Sequence, residues 1–324
     1  MSQKTIHLIC NAHLDPVWLW QREEGIAEAL STFRIAADFC DEYDNFVFCH
    51  NEAILYQWIE EFSPDLFKRI QSLVKKGRWY IIGGWYLQPD CNMLSGESVI
   101  RQINLGKKYF QEKFGVNCET AVNFDPFGHS RGLVQILKKT GYNNYLFMRP
   151  SAEKCKLPDD LFRWIGYDGS EIVGHRLFQC YLTRKGKARD KLEEFVKTQT
   201  KYSVGMVTWG MGNHGGGASR IDLEAINNYI KEHPEYNIIH SNPDKFFSDL
   251  IRSGVKLPSY NRELNFFATG CYTSQIRIKQ MHRRLEGELN LTEKMASAAY
   301  LIAQVNYPEK KLLEAAMDLA FAEF

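Results

Sequence analysis

Thr5-Ile-His-Leu-Ile-Cys-Asn-Ala-His-Leu-Asp-Pro-Val-Trp-Leu-Trp20, TIHLICNAHLDPVWLW, is the stretch from which the fold is read. Thr5–Cys10 is a short, nearly continuous apolar run containing β-branched residues, the pattern of a strand covered on both faces of a parallel sheet. It leads straight into His13 and Asp15, one residue apart, and then into Pro16, Trp18 and Trp20. Parallel α/β sheets bind ligands beyond the carboxyl ends of their strands, where loops and helix N-termini converge. His-x-Asp alone leaves two readings open, a pair of metal ligands or a hydrogen-bonded loop pair.

Working outward, the alternation repeats. Helical spacing over 26–39 is followed by a strand-like 46–49, helices over 53–62 and 65–75, a strand over 79–82 and a helix over 98–114. Strands over 120–124, 145–148, 204–209 and 236–240 alternate with helices over 133–140 and 221–231. LFRWIGYDGSEIVGHRL interrupts this as a hairpin turning at Asp168-Gly169. The expected class is α/β: a mainly parallel, β/α-barrel-like sheet of about seven strands wrapped by helices. It occupies residues 1–270. Residues 271–324, with charged helical stretches over 274–290, 294–305 and 310–324, read as the start of a helical bundle. The last stretch keeps apolar residues at helical spacing to Phe324 without a stop signal, so a chain cut short is expected, its apolar stripes exposed or paired with a second copy.

The 324 residues are 44% apolar and 24% charged, ordinary for a globular protein. A net charge of +1 gives no electrostatic case for nucleic acid or an anionic membrane as partner. Eight scattered cysteines without a CxxC pair read as reduced thiols, and Met1 leads within a few residues into a strand; both point to the cytoplasm.

Other strands end in reactive residues too. The 120–124 strand runs into NFDPFGHS, with Asp125, His129 and Ser130; the 79–82 strand into GGWYLQPDCN, with Trp85, Gln88 and Asp90; the 204–209 strand into WGMGNHGGGAS, with Asn213 and His214. His13, Asp15 and Asp125 together make a three-ligand zinc site with a position open for substrate. The glycines of the last loop match neither a P-loop nor a dinucleotide fingerprint, leaving a close backbone approach to a ligand or a plain turn. Trp18 and Trp85 sit in rim loops, where an aromatic face suits the C–H face of a sugar, the alternative being half-buried packing.

AHLDPVW, GGWYLQPDCNMLSGES, NFDPFGHS, HGGGAS and GCYTSQIRIKQMHRRLE stand in the order seen in glycoside hydrolase family 38, the zinc-dependent retaining α-mannosidases, and the chain resembles that family over nearly its whole length. The resemblance implies that His13 and Asp15 ligate one zinc ion and that Asp125 both ligates it and attacks the anomeric carbon. It implies that Trp18 and Phe127 wall the mannose subsite and that Arg149 stands near the nucleophile; Trp85 and Tyr272 are further candidate contacts for a mannose-containing oligosaccharide. Where better-known members carry Asp-Asp, this chain has Asn213-His214, which makes His214 the candidate acid/base or a substrate contact. Members take a fourth ligand from a His-Asp pair beyond the last helix, so this chain alone is expected to be weakly active or inactive. A zinc-dependent carbohydrate deacetylase and a non-catalytic sugar-binding domain are the competing readings.

Overall fold

The computed structural model describes residues 3–212 and 216–324. In chain order the elements are β1 (Thr5–Asn11), α1 (Arg22–Glu42), β2 (Phe48–His50), α2 (Ala53–Phe62), α3 (Pro64–Lys75), β3 (Trp79–Ile81), α4 (Gly96–Phe114), β4 (Thr120–Asn123), α5 (Leu133–Lys139), β5 (Asn144–Phe147), β6 (Leu161–Ile165), β7 (Glu171–Arg176), α6 (Ala188–Thr198), β8 (Val204–Trp209), α7 (Arg220–Glu232), β9 (Asn237–His240), α8 (Pro243–Arg252), β10 (Ser259–Tyr260), α9 (Thr269–Thr273), α10 (Ile276–Ala303) and α11 (Glu309–Phe321).

β1, buried from Ile6 onward as its apolar run requires, pairs in parallel with β8 from Thr5↔Val204 to Cys10↔Trp209. Its other edge is shared by β9 along Thr5–Leu8 and by β2 at Cys10 and Asn11, and β3 pairs with β2, all parallel. In the second sheet β4, β5 and β7 are parallel; β6 is antiparallel to β7, and β10 pairs with β6. The two five-stranded sheets meet where the Gly83 N–H donates to the Thr120 carbonyl. Alternate strand residues from both sheets, among them Ile9, Cys49, Val122, Leu146 and Met206, form one apolar cluster with Phe246, so the sheets enclose a filled interior. A larger cluster, including Phe33, Tyr56, Trp58, Trp79 and Phe110, lies between sheet and helices.

The expected parallel sheet wrapped by helices is present. It has more strands than expected because the hairpin adds β6 and β7, and β10 extends it at the edge. The hairpin turns at Asp168-Gly169, with Gly169 at φ +82°. The two helices expected over 274–290 and 294–305 are one, α10. Across the join, Asn290 accepts from Arg101 Nη2 at 3.0 Å and the Thr292 hydroxyl donates to the Glu288 carbonyl at 2.7 Å, so neither side chain competes with the helix. α10 buries Glu286 and Leu289 and leaves Ile278, Met281, Leu291, Met295 and Leu301 exposed. No helix among the described residues is long and apolar enough to cross a membrane, and no disulfide forms among them.

Candidate active site

The carboxyl ends of β1 and β4 come together across the meeting line of the two sheets. Two residues beyond β1, His13 is buried, and its Nε2 lies 3.2 Å from Asp15 Oδ1 and 3.9 Å from Asp125 Oδ2. One atom from each of the three can be chosen so that all lie within 4.8 Å of one another. The loop after His13 is closed by the Trp20 indole N–H, which donates to the Asp15 carbonyl at 3.1 Å. Asp125 follows β4 by two residues. Arg149, two residues beyond β5, ion-pairs with its carboxylate and donates to its backbone carbonyl at 2.9 Å. The guanidinium lies 5.1 Å from the Phe127 ring and 5.4 Å from the Phe267 ring, holding all three side chains in one stack.

The NFDPFGHS loop is pinned from below. His129 Nε2–H donates to the Arg149 carbonyl at 2.8 Å, so its bare Nδ1 accepts from the Tyr145 hydroxyl at 2.7 Å. Burial pushes this imidazole down to about 4, which keeps it neutral and in that tautomer. A β-carbon on Gly128 would stand 2.6 Å from Asn265 Oδ1 and 2.7 Å from Asn92 Nδ2, so any larger residue would push these two amide side chains aside.

Gln88, from the segment after β3, joins these pieces. Its Oε1 accepts from the Phe124 N–H at 2.7 Å, and its Nε2 donates to Glu52 Oε1 at 2.9 Å and faces His13 Nδ1 at 3.4 Å. Glu52, the residue before α2, is 1% exposed and has a backbone φ of +71°, a conformation that costs a non-glycine residue on the order of 1–3 kcal/mol. Burial pushes its carboxyl up to about 7. Burial pulls His13 down, but the adjacent Asp15, Glu52 and Asp125 carboxylates outweigh it and leave its pKa raised. Above these groups opens a cavity of about 470 Å³, lined also by Asp90, Tyr181, Phe127 and Trp18.

A sequence profile of the glycosyl hydrolases family 38 N-terminal domain matches residues 3–263. The chain belongs to glycosyl hydrolase family 38. Alpha-mannosidase G of Dictyostelium discoideum is 30% identical over 311 residues, which cover 94% of this chain and 28% of that protein. Mouse alpha-mannosidase 2C1 is 27% identical over 316 residues, covering 96% of this chain and 30% of that one. The crystal structure of an alpha-mannosidase from Enterococcus faecalis V583 superposes with a TM-score of 0.85 at 19% identity, over 99% of this chain and 38% of that chain; at that identity it shows a shared fold. The family 38 chain thus spans under a third of the length of these two curated relatives.

The family 38 site suits a divalent cation. His13 Nε2 is buried without an aligned hydrogen bond and faces two carboxylates. Ligands about 2.1 Å from a tetrahedral zinc ion lie about 3.4 Å apart, close to the spacings found here. The lining carries the carboxyl groups of Asp15, Glu52, Asp90 and Asp125 against one guanidinium, Arg149, an imbalance that a cation would correct.

Of the residues expected in the site, His13, Asp15, Asp125, Arg149, Phe127 and Trp18 gather around this cavity, and Trp18 is 61% exposed at its mouth. Trp85 does not. It is fully buried, its indole N–H donates to the Val122 carbonyl at 3.1 Å and its ring stacks on Tyr142, so it offers no surface to a ligand. The cause is the Gly83-Gly84 pair, both at φ +76°, which turns the chain inward. Tyr272, on α9, stands beside the cavity rather than in its lining; its hydroxyl accepts from Asn92 Nδ2 at 3.1 Å. His214 lies outside the described residues. Glu52 and Tyr181 were not anticipated. The signal for Glu52 was a carboxylate at the first turn after a strand, which is as common at an exposed helix start.

Proposed function

We propose that this chain carries the catalytic centre of a zinc-dependent retaining α-mannosidase acting on mannose-containing oligosaccharides. The observation that carries the reading is the buried His13 Nε2, without an aligned hydrogen bond and facing the Asp15 and Asp125 carboxylates, in a chain of family 38. His13, Asp15 and Asp125 would hold the ion, which when bound supplies a Lewis acid for the sugar's hydroxyls. The remaining work belongs to the side chains. Arg149 ion-pairs with the Asp125 carboxylate and holds it in place, as an oriented nucleophile requires. Asp125 then attacks the anomeric carbon to give a glycosyl-enzyme, which water opens with net retention. Trp18 and Phe127 present rings to the C–H faces of the sugar. His214 is the proposed acid/base, protonating the departing oxygen and later taking a proton from water. Residues 1–270 form the proposed catalytic domain. The chain's eight unpaired cysteines favour the cytoplasm, and the exposed apolar residues of α10 would serve self-association.

Family membership does not favour a deacetylase, and no second histidine joins the cluster among the described residues. The test is hydrolysis of p-nitrophenyl α-mannoside by the full chain with zinc present. Release of p-nitrophenol with α-mannose as first product, abolished by a chelator, is expected. Release of acetate from chitooligosaccharides without any mannosidase activity overturns the reading.

A further inference from the structure

A histidine that gives its Nε2 lone pair to a cation must carry its proton on Nδ1, and that N–H needs an acceptor. The group facing His13 Nδ1 is the Gln88 amide nitrogen, 3.4 Å away and itself a donor. Gln88 cannot reverse its amide without setting its nitrogen against the Phe124 N–H, which its oxygen accepts at 2.7 Å. As drawn, the imidazole and the amide therefore face each other donor to donor whenever Nε2 is free to bind. The Glu52 carboxyl, one of the groups whose charge acts on His13, offers an acceptor. Glu52 Oε1 is taken by Gln88, but Glu52 Oε2 is buried and has no hydrogen-bond partner.

The backbone around Glu52 shows that this carboxyl is placed. The Ala53 and Ile54 N–H groups, unsatisfied by any turn of α2, donate to the Trp85 and Tyr86 carbonyls at 3.0 and 3.1 Å. That attachment fixes the start of α2 to the segment carrying Gln88 and holds Glu52 at its positive φ. A glycine would take this conformation without strain, and a carboxylate at the start of a helix would ordinarily face water. Instead the side chain is turned into the protein beside the one histidine of the cluster.

We propose that Glu52 is a positioning residue for the cation site: with Gln88 it orients His13 and accepts the Nδ1 proton, so that Nε2 is presented to the ion. The inference rests on the metal-site reading above. Glu52 itself touches neither the ion nor the sugar in this account. Its free oxygen draws the Nδ1–H away from the amide, and the amide keeps its bonds to Phe124 and to Glu52. A carboxylate behind a ligating imidazole also makes that imidazole a stronger donor.

The experiment measures zinc affinity of the full chain by chelator competition, for the unchanged protein and for His13→Ala, Glu52→Gln and Glu52→Gly, together with the melting temperature of each without metal. The expected result is zinc binding that is lost in His13→Ala and weakened about 10- to 100-fold in Glu52→Gln. Glu52→Gly relieves the backbone, so it should melt no lower than the unchanged protein without metal and yet bind zinc more weakly. A merely structural role predicts the reverse, a lower melting temperature with affinity retained. Cobalt(II) bound in place of zinc should show a changed visible absorption in Glu52→Gln. If zinc binds through His13 and both Glu52 variants match the unchanged protein, the inference is overturned and the metal site stands. If the unchanged chain binds no zinc through His13, both fall.

Discussion

Two cavities in this molecule pair buried histidine with aspartate, and they are built to opposite ends. One, of about 340 Å³ at the start of β8, is lined by His175, Asp159, Asp160, Tyr202 and Val204–Met206. There each acid has its cation: Asp160 pairs with Arg176, and Asp159 with Lys201 while also accepting from the Tyr202 hydroxyl at 2.8 Å. His175 is pushed down to about 4 by burial and its Nδ1–H donates to the Asp160 carbonyl at 3.2 Å. The other cavity leaves His13 Nε2 without an aligned bond and sets four carboxyl groups against one guanidinium. Cavity shape does not separate the two, because a ligand is called for by charge left unbalanced inside a low-dielectric pocket.

The sharpest way to break this contrast is to neutralise one acid in each cavity. Asp125→Asn should lower α-mannosidase turnover on the order of 10³-fold or more. Zinc content must be measured beside the rate, because the same change removes a ligand atom. Asp159→Asn should leave turnover per folded molecule within about twofold. Comparable losses from the two would erase the distinction.

A second pair of changes sets the interior beside the rim. Trp85→Ala should destabilise the fold by about 3–5 kcal/mol in urea unfolding, as expected of a large aromatic removed from a core. Trp18→Ala, at an exposed ring, should change stability by less than about 0.5 kcal/mol. It should raise KM about tenfold, the loss of one ring face against a sugar.

These two tryptophans also show how far the sequence could be read. Both stand in loops after strands and look alike in the chain; what divides them is the double-glycine turn at 83–84, whose direction depends on the sheet it must meet. Local pattern did fix much else. The helix over 53–62 and the strand over 204–209 have the expected bounds, and His13, Asp15 and Asp125 were legible as a group because each follows a strand in a parallel sheet. α6 and α8 were not read, since each is a short amphipathic helix within a stretch rich in charge and turn residues. Glu52 was not legible either, because its burial is decided by the segment packed on it rather than by its neighbours in the chain.

A pH profile tests the charge imbalance directly. The Glu52 carboxyl is raised from 4.5 to about 7, so the folded chain holds its proton more tightly than the unfolded chain does. The stability this contributes is fully present below about pH 4.5, declines above it, and is lost once the pH has risen through about 7. The span is on the order of 3 kcal/mol. Urea unfolding of metal-free protein between pH 4.5 and 8 should show that decline in the unchanged chain and a flatter profile in Glu52→Gln. Parallel profiles would mean that the buried carboxyl is not titrating there.

The meeting line between the two sheets gives the site a mechanical meaning. His13 and Asp15 extend from one sheet and Asp125 from the other, with Gln88 laid across the join. An ion held by all three would act as a rivet between two plates already joined by hydrogen bonds such as Gly83 N–H to the Thr120 carbonyl and Trp85 Nε1–H to the Val122 carbonyl. Each half would then inherit the rigidity of its neighbour, and the Asp125 carboxylate would be held still by a strand from the opposite plate.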